Sequence, residues 1–202
     1  MRRCLFPLLP LLLSATGAAG AETLPESLIH CDSRFFSELY IQQSKFKHVA
    51  PLTTDSQHHA WFVAPKDRGN TVWFAQPVAV QQLTLSGYYS QQDDLAEMGK
   101  YYFWGLVIDQ SVEAVIKAMP NVNWKKVNDE YFAVAMIKRP GEQVWQKNET
   151  AVSGIAPAKG SVEKLAMLSV RNGKTQLLCS VQGSVTKEVL LPLRPDLIAG
   201  KK

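Results

Sequence analysis

Apolar and polar positions along this chain mostly change over at a period of two, the spacing of half-buried strands. Ala60-Trp61-Phe62-Val63 and Thr71-Val72-Trp73-Phe74 are β-rich runs on either side of the turn region PKDRGN. Val78 to Leu85 reads as a continuing strand, and Tyr101 to Ile108 (YYFWGLVI) and Tyr131 to Ile137 (YFAVAMI) read as buried ones. Near the C-terminus KLAMLSV and TQLLCSV flank Arg171-Asn172-Gly173-Lys174, and an Asn-Gly pair between such runs predicts a hairpin. Two stretches switch to helical spacing. Phe36, Leu39 and Tyr40 follow the N-cap candidate Asp32, and SVEAVIKAM follows Asp109 and stops at Pro120. The apolar run Leu28 to Cys31 reads as a short strand, Gln143 to Trp145 as another, and the segments 86–100 and 147–160 as loops.

In order, each half of the chain runs helix, hairpin, strand, strand. Asp32 and Asp109 take the same place before the helix; Lys66, Gly69, Val72 and Trp73 correspond to Lys138, Gly141, Val144 and Trp145; Val80 and Leu83 correspond to Val162 and Leu165. Two origins fit this pattern: a tandem helix–meander duplication, or two halves sharing turn and strand composition by chance. The expected fold class is α+β, with antiparallel sheet and one helix packed per half. The expected organisation is one domain over 22–190 (halves 28–108 and 109–190), followed by a C-terminal tail over 191–202.

The first 21 residues change the picture of compartment. Arg2 and Arg3, the apolar run Cys4 to Leu13 and the small residues ending in Ala19-Gly20-Ala21 form a secretory leader with an A-x-A cleavage signal. The run carries Pro7 and Pro10 and is half the roughly 20 residues that a spanning helix needs. The mature chain is therefore expected in the periplasm or outside the cell, with no membrane insertion after leader removal. Cys31 and Cys179 remain, and in an oxidising compartment two cysteines are most simply paired. The formal charge of +4 includes both leader arginines, and so small a balance makes no electrostatic case for nucleic acid.

Candidate chemistry is sparse. His58-His59 would need a bend to ligate one ion, because neighbouring strand side chains face opposite ways, so no metal or other cofactor is expected. Ser161-Val-Glu-Lys164 fits S-x-x-K but leads into a strand, whereas a serine–lysine pair must share a helix face. The carboxylate pairs Asp93-Asp94 and Asp129-Glu130 read as solvated loop charges, and the sequon Asn148-Glu149-Thr150 matches a pattern common by chance. No catalytic residue is assigned. Aromatic residues carry more weight. Alternation puts Tyr101 and Phe103 on one face of their strand and Tyr102 and Trp104 on the other, and only one face of a one-sided sheet is buried by its helix.

These patterns lead to a non-catalytic exported binding protein of the inhibitor or immunity kind, meeting a protein or small ligand of the cell envelope. Tyr88, Tyr89, Tyr102 and Trp104 are its expected contacts, with Asp93 and Asp94 as polar complements and the 86–100 and 147–160 loops on its flanks. The alternatives are a small periplasmic hydrolase whose site assembles only in three dimensions, and a structural component of an envelope assembly.

Overall fold

Thr23 and Glu26 cap one another reciprocally. The Thr23 hydroxyl accepts from Glu26 N at 3.4 Å, and Glu26 Oε2 accepts from Thr23 N at 2.8 Å. With Pro25 in the first turn, this capping box starts helix α1, Leu24–Ile29. Leu28 and Ile29 are thus helical rather than extended: the T-x-x-E cap upstream outweighs a short apolar run. The computed structural model describes residues 22–63, 69–151 and 155–197; the expected leader, Lys66 and residues 198–202 lie outside them.

Helix α2, Arg34–Ile41, turns Phe35, Phe36 and Leu39 inward, and α3, Gln43–Phe46, adds Phe46. Asp32 does not itself cap α2; its carboxylate accepts from Arg34 N at 3.1 Å and pairs with the Arg34 guanidinium. Strands β1, Leu52–Thr54, and β2, Ala60–Phe62, form a separate antiparallel ribbon. Strand β3, Thr71–Val80, then runs through Pro77 and reverses at Gln81 into β4, Leu83–Asp94. The expected strand from Val78 to Leu85 is therefore the turn of a hairpin, with Val80 opposite Leu83 and Val78 opposite Leu85. Gln81 supplies the positive φ of 52° that a glycine or asparagine would usually supply. β4 also claims Ser86 to Asp94 of the expected 86–100 loop, which shrinks to Leu95–Gly99 before β5, Lys100–Ile108.

In the second half, Ser111 rather than Asp109 caps helix α4, Val112–Ala118, accepting from Ala114 N at 3.3 Å. Strands β6, Lys125–Val127, β7, Glu130–Lys138, and β8, Gln146–Lys147, precede the hairpin of β9, Val162–Arg171, and β10, Lys174–Gly183. β3 to β10 make one antiparallel sheet in the order β3-β4-β5-β10-β9-β7-β6, with β8 on the outer side of β7. The architecture is α+β, as the sequence predicts at that level.

Register fixes what each face holds, because paired residues share a face. Trp104 lies opposite Cys179, Leu106 opposite Leu177 and Tyr88, and Tyr102 opposite Val181. These residues form one core with α1, α2 and α4, so all three helices cover the same side of the sheet. The Cys31–Cys179 disulfide lies in this core, with Cα atoms 5.3 Å apart, and ties the corner between α1 and α2 to the centre of β10. Residues 187–197 add to the same side through the short helix α5, Lys187–Leu190, and the buried Leu193, Arg194 and Pro195. Packing therefore continues to Leu197, through residues assigned from sequence to the tail. The other face carries a smaller cluster of Phe132, Leu165 and Met167 with Phe103 against it. On this face Gln182 Nε2 donates to Ile155 O at 3.0 Å, and the Asn148 amide donates to Glu163.

Candidate functional site

Placed on this sheet, the six expected contact residues separate into three groups. Tyr88 and Trp104 are core residues, and the expectation that they meet a partner is corrected: Tyr88 is stacked on Phe35 and packed against Phe62, and Trp104 has no exposed surface. Alternation points both toward the helices, and a sheet covered on that side leaves them no route to solvent. Tyr102 is half-buried on the same face, one pair along from Trp104. Tyr89 and Asp93 lie on the opposite face and are joined through Gln91, which accepts from the Tyr89 hydroxyl and donates to Asp93 Oδ2 at 2.7 Å. Asp94 is exposed at the end of β4, accepting from Ala96 N at 3.2 Å and pairing with Lys100 at 3.7 Å.

Burial pushes the Tyr88 phenol above its ordinary pKa against the nearby Arg194 guanidinium and Ser90 hydroxyl, and the Tyr88 hydroxyl makes no hydrogen bond of good geometry among the described residues. An unsatisfied buried hydroxyl costs about 1–3 kcal/mol. Tyr88→Phe keeps the ring stack and removes that penalty. It is expected to raise stability by about 1 kcal/mol in denaturant titration and to leave any partner binding unchanged. A loss of stability instead would mean that the hydroxyl is satisfied in the folded protein.

The remaining surface candidates converge on one end of the sheet. The turn Leu95–Gly99 closes on itself through Met98 N to Leu95 O at 3.1 Å and Leu95 N to Gly99 O at 2.9 Å. Against it lie Ala156, Pro157 and Lys159 of the second expected loop and Gly183–Thr186 at the end of β10, lining a cleft of about 380 Å³. Two apolar side chains stand out to solvent on the turn, Leu95 at 44% and Met98 at 61% exposure. The base of the turn is closely packed. Gly99 has φ +91°, and a Cβ there would fall 2.5 Å from Gly183 O; a Cβ on Gly183 would fall 2.5 Å from Ser161 O. Backbone thus packs on backbone, an approach that glycine allows. Gly160 N donates to Ser184 Oγ at 2.9 Å, fastening the second loop to the end of β10. Lys159 and Glu97 approach to 3.9 Å across the two loops, though both are so exposed that the pair contributes little.

Sequence reasoning placed both loops at the site but missed Leu95, Met98 and the Gly99–Gly183 contact. The usable signal was two apolar residues inside the otherwise polar run SQQDDLAEMGK. Other candidates lie elsewhere. His59 Nδ1 sits 2.9 Å from Asp55, and the His58 ring packs on Tyr40. Among the described residues no group of three His, Cys, Asp or Glu side chains could hold a metal ion. Lys164 Nζ donates to His30 O at 2.9 Å, and Asn148 of the sequon is buried, its amide donating to Glu163.

The chain is an α+β protein on a single main antiparallel sheet, tied by one disulfide, and among the described residues no helix is long and apolar enough to cross a membrane. Comparison with protein-family models, with curated proteins and with solved structures gives no significant match.

Proposed function

We propose that this is an exported, non-catalytic binding protein of the inhibitor or immunity kind, which meets a protein of the cell envelope through the β4–β5 turn. The carrying observation is the pair of exposed apolar side chains, Leu95 and Met98, on a turn whose base packs glycine on glycine. An apolar projection on a closely packed base has less conformational freedom to lose on binding than a free loop, which suits a docking element. Of the residues expected from sequence, Asp94 lines the cleft beside this turn, and Asp93 and Tyr89 lie further back along β4. Export is supported by the leader over residues 1–21 and by the disulfide, which suits an oxidising compartment.

The strand order also favours a tandem duplication as the origin of the scaffold. It reads β3-β4-β5 and then β10-β9-β7, symmetric about the β5–β10 pair, with α2 and α4 each preceding a half. Support comes from this order rather than from the matched residues. Val80 and Leu83 flank a turn, whereas Val162 and Leu165 lie within β9.

The test compares the mature, oxidised protein with Leu95→Ser/Met98→Ser as bait in an envelope extract. Buried apolar anchors at an interface typically carry about 2–4 kcal/mol. The species retained by the parent protein should therefore be lost from the variant, while its melting temperature stays within about 2 °C because both side chains are already exposed. Equal capture by both proteins would remove the turn from the binding surface.

A further inference from the structure

We propose that Glu163 is a pH-responsive anchor for the loop stretch Ile155–Gly160 that walls the cleft beside the β4–β5 turn. The inference assigns a regulation to the proposed docking surface and rests on that reading only for its biological use. Glu163 lies on β9, on the face away from the helices, and is 3% exposed. Two side-chain amides meet its carboxyl: Gln182 Nε2 on the adjacent strand donates to Oε1 at 2.9 Å, and Asn148 Nδ2 donates to Oε2. The Gln182 amide also reaches the loop, and Asn148 is fixed where the chain enters it. Gln182 Nε2 makes its second donation to Ile155 O at 3.0 Å. Asn148 N donates to Ala135 O at 2.9 Å, and Asn148 Oδ1 accepts from the Thr150 hydroxyl at 3.0 Å. Glu163 therefore orients Gln182, whose amide holds the loop at Ile155, and Asn148, where the chain leaves β8, acting as a positioning residue.

The neighbouring elements bring no counter-charge to it. The ionisable groups closest in register are Lys138 on β7, Tyr101 on β5 and Asp93 on β4, with Lys147 and Glu149 at the start of the loop and Lys159 further along it. Lys147 pairs with Glu149, Lys138 Nζ lies over the Trp145 ring and Asp93 accepts from Gln91; among the described residues none bonds to Glu163. Burial consequently outweighs the two amide donors and holds the Glu163 carboxyl above its ordinary 4.5. The anchored arrangement binds the proton more tightly than an open loop would. Anchoring is thus complete below that ordinary value and weakens as pH rises toward the raised one.

The test follows the side-chain amide signals of Asn148 and Gln182, and exchange of the Gly160 amide, by nuclear magnetic resonance across the acidic-to-neutral range. In the parent protein both amides should shift together with a midpoint above 4.5, and Gly160 protection, corrected for intrinsic exchange, should fall several-fold over the same interval. Glu163→Gln, which preserves shape but cannot titrate, should flatten both profiles. A midpoint at or below the ordinary value, or an unchanged profile in Glu163→Gln, would overturn the proposal. No partner is needed, so loss of the docking reading leaves this result intact, and a flat titration leaves the docking reading intact.

Discussion

Cys31→Ala/Cys179→Ala is expected to lose about 4–5 kcal/mol of stability relative to the oxidised protein. The bond closes a loop with a sequence separation of 148 residues, so most of the chain is constrained in the unfolded ensemble. Loop-closure entropy grows only logarithmically with length, which places this bridge near the upper end of what one disulfide contributes. The native position adds to the effect. Both cysteines are buried in the main core, and the bond links the α1–α2 corner to the strand paired with Trp104. Guanidinium unfolding followed by tryptophan fluorescence gives the difference directly. A loss below about 1 kcal/mol would show that the helical corner is held by packing alone and that the unfolded chain retains structure near the bridge. A domain with a stability of 5–15 kcal/mol could lose a large share of it with this bond, so folding of the variant at 37 °C should be visibly impaired.

Three physical signals make parts of this fold legible in the sequence. The β9–β10 hairpin follows from Asn172-Gly173, both at positive φ, between apolar runs, and helix α4 follows from its apolar spacing. The disulfide followed from counting cysteines. By contrast, the β3–β4 reversal was hidden because Gln81 takes the left-handed conformation without the glycine or asparagine that announces it. Ser90–Asp94 reads as loop because its residues are polar, yet it is strand. β3 stops pairing at Thr71 opposite Tyr89, so beyond that point β4 is the edge of the sheet and no second neighbour demands apolar side chains. The same geometry divided the expected contacts. Strand alternation correctly separated the faces of β5, but it could not say that three helices and residues 187–197 would all cover the Trp104 side. Tyr88 and Trp104 were thereby drawn into the core, while Leu95 and Met98, apolar residues in a polar run, were left in solvent.

Arg194 is the buried charge on which the C-terminal segment depends, and Arg194→Ala is expected to cost about 3–5 kcal/mol. Its side chain has no exposed surface. The guanidinium donates to both carboxylate oxygens of Asp196, at 2.8 and 2.7 Å, and to Ser90 Oγ at 3.2 Å, and it lies over the Trp104 ring at 4.7 Å. Removing it strands the mostly buried Asp196 carboxylate and opens space above Trp104. That unpaired charge accounts for most of the loss, because an intact buried pair adds little over an apolar replacement. Arg194→Met/Asp196→Leu should consequently lose less than Arg194→Ala alone, by about 2 kcal/mol or more. Arg194→Lys should rescue poorly, since a point ammonium can neither fork onto a carboxylate nor stack on an indole. Hydrogen exchange localises the damage. Residues 187–197 should lose protection in Arg194→Ala before the central strands β5 and β10 do, if the segment is held by this contact. Uniform loss across the sheet would instead make Arg194 part of one cooperative core with no separable C-terminal unit.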